Sequence, residues 1–77
     1  MARGSNQKFK FTYLMKLMAE KTDDEHSLTM AQILDELGRY GVSAERKSIY
    51  EDFKDMGEFG VEILKEQKGR ETFYHIA

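Results

Sequence analysis

The chain has 77 residues, no cysteine and a formal net charge of −2. That length makes one small domain, with no room for an enclosed active site and its supporting shell. The lack of cysteine excludes disulfide staples and thiolate metal sites, so stability must come from packing or from a partner.

Residues 1–7, with Ala2, Gly4, Ser5 and Asn6, are small and polar and read as a flexible N-terminal arm; the domain then occupies 8–77. From about Lys8 to Lys21, Phe11, Leu14, Met15 and Met18 recur at helical spacing, which predicts a first helix. Phe9, Tyr13 and Leu17 widen its apolar surface, enough to bury the helix or turn part of it toward another protein. Thr22 to His26 is a polar loop, and Ser27-Leu28 is a candidate very short strand. Thr29-Met30-Ala31-Gln32 is a capping box, in which the threonine side chain accepts from the N3 amide and Gln32 reaches back. A second helix over about 30–40 follows, with Met30, Ile33, Leu34 and Leu37 as its apolar stripe. Gly41 is its left-handed stop and Val42 a hydrophobic plug in the turn.

Ser43 is the expected N-cap of a third helix over about 44–59, with Ile49, Phe53 and Met56 facing inward. Gly57 weakens that helix and Gly60 ends it. The period then changes from 3.6 to 2. Val61, Ile63, Lys65 and Gln67 alternate with Glu62, Leu64 and Glu66; Lys68-Gly69-Arg70 is a hairpin tip. Thr72 to Ile76 is a second strand, with Tyr74 and Ile76 inward and Phe73 and His75 outward. The expected fold is therefore α+β: three helices followed by a two-stranded β-hairpin "wing", a winged helix-turn-helix. No apolar run is long enough to cross a bilayer and no signal peptide is visible, so a cytoplasmic protein is expected.

Charge is segregated along this chain. Residues 1–21 hold Arg3, Lys8, Lys10, Lys16 and Lys21 against Glu20; residues 22–38 hold Asp23, Asp24, Glu25, Asp35 and Glu36 with no lysine or arginine. On the third helix, the face opposite Ile49, Phe53 and Met56 shows Arg46, Lys47, Tyr50, Glu51 and Lys54, with Ser48 near its edge. Arginine can bond a guanine edge in bidentate fashion, serine and tyrosine hydroxyls can bond base or phosphate, and lysine suits phosphate. The helix N-terminus adds free amides for a phosphate. Glu51 accepts from a cytosine amino group or neutralises Lys47 or Lys54. Lys68 and Arg70 at the wing tip would reach a phosphate or a neighbouring minor groove. Thr29 would add a phosphate contact to its capping role. The competing reading of each feature is an ordinary solvated surface.

His26 and His75 are read as surface histidines, and Asp23-Asp24-Glu25 lacks the ligand alternation and central glycine of a calcium loop. No nucleophile–base arrangement is readable, so no enzyme activity, catalytic residue, metal or cofactor is expected.

Arg46-Lys47-Ser48-Ile49-Tyr50-Glu51-Asp52-Phe53 followed by Phe59-Gly60-Val61-Glu62-Ile63 resembles the N-terminal winged helix-turn-helix of WYL-domain bacterial transcriptional regulators, relatives of the deoxyribose-operon-repressor type. Residues 27–42 and the closing Phe73-Tyr74-His75-Ile76 fit the same pattern, so the similarity covers about 8–76. The resemblance implies a transcription factor whose third helix enters the DNA major groove, with Arg46, Lys47, Ser48 and Tyr50 at the matching positions. Position 51, usually arginine in that motif, is Glu51 here. The resemblance also implies a homodimer in a longer regulator, with an effector bound by a domain this chain lacks; this chain would be either an excised N-terminal domain of such a regulator or a stand-alone relative. The alternative expectation is a winged helix used for protein interaction or dimerisation without DNA.

Overall fold

Three helices and three strands follow one another as α1 (Lys10–Lys21), β1 (Leu28–Thr29), α2 (Met30–Arg39), α3 (Arg46–Glu58), β2 (Ile63–Lys68) and β3 (Glu71–Ile76). This computed structural model describes residues 9–77. The expected arm and Lys8 lie outside the described residues. The strands form one antiparallel sheet in the order β1-β3-β2, so the fold is α+β with a three-stranded sheet. The short strand sits one residue later than expected, at Leu28–Thr29, because Leu28 pairs with Tyr74 and Thr29 with Phe73.

All three helices and β3 contribute to one core. Leu14, Leu17 and Met18 of α1 meet Met30, Ile33 and Leu37 of α2, Ile49 and Met56 of α3, Val42 of the connecting turn and Tyr74 of β3. Leu17, expected to widen the apolar stripe of α1, is fully buried. Thr22 is buried as well, and a buried hydroxyl must be paired. It donates to Met18 O at 2.6 Å and accepts from Ile76 N at 2.9 Å, tying the end of β3 to the end of α1. Lys10 and Asp52 form a half-buried ion pair that ties the start of α1 to α3. In the loop after Thr22, Asp23 Oδ1 accepts from the amides of Glu25 and His26 and meets His26 Nδ1 at 2.8 Å. The bond from His26, with the amide bond from Glu25, holds the Asp23 carboxyl below its ordinary value.

The capping box at α2 is present in full: Gln32 N donates to Thr29 Oγ1 at 3.2 Å and Thr29 N to Gln32 Oε1 at 2.9 Å. The C-termini of α2 and α3 share one device. Gly41 and Gly60 have φ of 78° and 88°. Val42 N reaches back to Leu37 O at 3.0 Å, and Val61 N to Met56 O at 2.9 Å. Each is a Schellman motif with a left-handed glycine and a valine after it. Val42 is consequently anchored in the core, 2 % exposed.

That anchor corrects the expected start of the third helix. Ser43 is not its cap; Glu45 holds the N-cap position, without a side-chain capping bond. Val42 is fixed as the residue after the α2 stop, and Ala44 packs against the core. The chain crosses residues 43–45 before Ile49 N makes the first helical bond to Glu45 O, at 3.1 Å. On the hairpin, Phe73 and His75 are half-buried rather than fully outward. Gly69, with φ of 63°, takes the first position of the two-residue turn, and Arg70 follows with negative φ, the pattern of a type II′ hairpin.

Candidate nucleic-acid interface

The elements above bring four of the expected site residues to one place. Arg46 and Tyr50 lie one turn apart on α3, Thr29 begins α2, and Arg70 sits at the hairpin tip. All four line a surface cleft of about 210 Å³, together with Thr72, Tyr74 and Glu71. The capping box fixes Thr29, the burial of Ile49 and Met56 fixes the rotation of α3, and the tight turn at Gly69 fixes Arg70.

Tyr74 is the residue that sequence reasoning left out of the site. Its ring is in the core, 5 % exposed, packed against Phe53 at 5.4 Å between centroids. Its hydroxyl donates to the hydroxyl of Tyr50 at 3.1 Å. Burial, reinforced by that bond, pushes the Tyr74 phenol up to about 12, with Arg46 acting in the opposite direction. Alternation along the strand predicted that Tyr74 points inward. It carried no information on where the far end of the ring emerges.

The other expected residues are dispersed. Lys47 and Lys54 are exposed on α3 beyond the cleft. Among the described residues, Arg46, Lys47, Lys54 and Arg70 make no ion pair. Ser48 is half-buried, and its hydroxyl donates to Glu45 O at 2.9 Å, so that donor is used inside the first turn of the helix. Lys68 ends β2 directly opposite Glu71, 4.0 Å from Glu66 and 5.6 Å above the Phe73 ring, and does not line the cleft. Arg70 stands in the turn, outside the strand pairing, and Gln67, not Lys68, shares a face with Thr72. Asp52 is taken up by Lys10 rather than left beside the cations of α3.

The charge order of α3 runs against its own dipole. Arg46 and Lys47 open the helix and no acid stands in its first turn; Asp55 and Glu58 close it and no base stands in its last. Each misplaced charge costs ~0.3–1 kcal/mol at an exposed terminus. The same order leaves positive potential at the helix start, where the cleft opens. Among the described residues no group of three or more metal-ligating side chains is present, and no helix is long and apolar enough to cross a membrane. Neither a family model, nor a curated protein, nor a solved structure matches the chain.

Proposed function

We propose that this domain is a winged helix-turn-helix that binds double-stranded DNA as part of a transcriptional regulator. In this reading α3 lies in the major groove and the Gly69-Arg70 tip on the adjoining backbone or minor groove. The observation that carries it is the cleft joining Arg46 and Tyr50, Thr29 and Arg70. Three separate elements present hydrogen-bond donors to one groove-like surface, with two arginines that make no ion pair among the described residues. Ion pairing within the protein would otherwise consume them; left open, they suit phosphate and guanine edges. The uncapped N-terminus of α3 favours an anion at the same end. A single module of this charge contacts few phosphates, so a dimer on a palindrome supplies the rest.

The test is an anisotropy titration of duplex pools at low and moderate salt, followed by selection of bound sequences. Enrichment of a palindrome supports the reading, and no binding at low salt rejects it. Arg46→Ala should cost ~1–3 kcal/mol at the selected site and relax preference at one base pair. An Arg46→Ala variant that bound every site as tightly as the parent would remove α3 from base reading.

One observation favours a protein-interaction module instead. Phe59 is 72 % exposed beside Phe11, and Phe9 is 45 % exposed at the start of α1. Exposed aromatics of that kind suit a protein contact more than a phosphate.

A further inference from the structure

The Tyr74 and Tyr50 hydroxyls lie 3.1 Å apart, and burial decides which of them gives the proton. A phenol hydroxyl has one proton to give and lone pairs to receive. Tyr74 is the buried partner and its proton must find an acceptor, so it goes to the exposed Tyr50. Tyr50 therefore accepts on that side and must send its own proton elsewhere. Its side chain is 44 % exposed and lines the cleft, so the outward direction is open. The same cleft is lined by two arginines, Arg46 from the helix start and Arg70 from the hairpin tip, against one acidic residue, Glu71. An acceptor with negative charge and several oxygens fits this set of donors; a neutral or cationic group does not.

We propose that the cleft seats one phosphate group of the duplex backbone, held by Arg70, with Tyr50 donating to a non-bridging oxygen and Tyr74 acting as the positioning residue that keeps that proton turned outward, while Arg46 is left to the base edge. This rests on the DNA-binding reading and adds to it a defined address for a single phosphate. It also gives Tyr74 a part in binding although its ring never leaves the core. Thr29, at the cleft margin, has its hydroxyl engaged as acceptor for Gln32 N, and its proton remains to give.

The test is a walk along the selected duplex with one neutral methylphosphonate at each position in turn, read by anisotropy. Parent protein, Tyr50→Phe, Tyr74→Phe and Arg70→Ala are compared on every duplex. One position should cost the parent about tenfold, the loss of a charge-assisted bond. On the unmodified duplex each variant should bind several-fold more weakly than the parent. On the duplex neutral at that one position, all three should bind as the parent does, because the partner they served is gone. A role of Tyr74 in packing alone would lower affinity for every duplex equally, and that result would overturn the proposal. So would binding by Tyr74→Phe and Tyr50→Phe equal to that of the parent throughout. Tyr50→Phe changes an exposed position, so it decides the matter if Tyr74→Phe does not fold. Inorganic phosphate, titrated against the free protein by NMR, separates the sources. Saturation at the cleft by phosphate with no affinity for any duplex would reject DNA as the source and the DNA-binding reading with it. Duplex binding without any position coupled to these residues would reject the seat and leave DNA binding standing.

Discussion

Tyr74 joins two environments: its ring closes the core above Phe53, and its hydroxyl ends at the cleft against Tyr50. The consequence for stability has a definite sign. A tyrosine in the unfolded chain titrates near 10.0, and folded Tyr74 near 12. Between those values the unfolded state has released a proton that the folded state still holds. The unfolded state binds fewer protons there, so stability falls as pH rises. The contribution of Tyr74 is complete below the lower value and is lost between the two. Urea midpoints measured across that window should fall more steeply for the parent than for Tyr74→Phe, since lysine titration is common to both. Equal slopes would mean that the phenol is not held neutral by the fold. At this scale the legibility of the chain was uneven. Arg46, Tyr50, Thr29 and Arg70 were recognisable by residue type and by place on their elements. Lys68 and Arg70 are near in sequence, yet Lys68 is tied to Glu66 and Phe73 at the end of β2 while Arg70 stands in the turn beside the cleft. Residue type alone makes Ser48 a donor to DNA, but it cannot reveal that the hydroxyl is spent on Glu45 O within the first turn.

Among the elements, Gly57 inside α3 and Gly60 just past its end lead to opposite predictions. Gly57 lies inside the helix with open space where a Cβ would go. Gly57→Ala should therefore stabilise by ~0.5–1 kcal/mol, the difference between the two residues in a helix interior. Gly60 also has open space around it, but its φ of 88° is left-handed. Gly60→Ala should destabilise by ~1–2 kcal/mol from backbone strain alone. Thermal or chemical unfolding of the pair checks both, and equal effects would refute the assignment of Gly60 as a helix stop. The helix ends were legible because a left-handed glycine followed by valine is local chemistry. The start of α3 was not. Ser43 satisfies the capping rule in isolation, but the rule is blind to Val42 being held by the preceding Schellman motif and to Ala44 packing inward. The short β1 was only half legible, since two residues establish no period; its register is set by β3. The reversed charge order of α3 adds a further point at this scale. A helix opposed by its own termini depends on the burial of Ile49 and Met56 rather than on intrinsic propensity.

Taken whole, the domain measures 39 × 27 × 21 Å, its long axis comparable to one turn of duplex, about 34–36 Å. On the proposed DNA-binding reading one copy would cover one half-site, and a palindrome would hold two. The acidic net charge does not exclude that reading, since charge is distributed locally: Asp52 is paired with Lys10, and Asp23 is engaged with His26. Affinity should fall with salt at a slope set by the phosphates neutralised, about −4 to −5 for five contacts. Arg70→Ala should weaken binding to all sequences alike and make the slope shallower by about 1. Anisotropy over a salt series measures both, and an unchanged slope would take the hairpin tip off the backbone.

Among the described residues, the strand order β1-β3-β2 leaves β2 at a margin of the sheet, with one side of its backbone unpaired. Such a margin is a template for fibril growth. Its hairpin register turns the amides of Glu62, Leu64, Glu66 and Lys68 toward β3 and those of Ile63, Lys65 and Gln67 outward. Two copies meeting head to tail along that margin can pair only outward groups with outward groups. The two alignments that cover most of the strand then set Lys65 against Lys65 or Glu66 against Glu66. Like charges directly opposed repel, so the arrangement that leaves this strand open also guards it against stacking with its own kind.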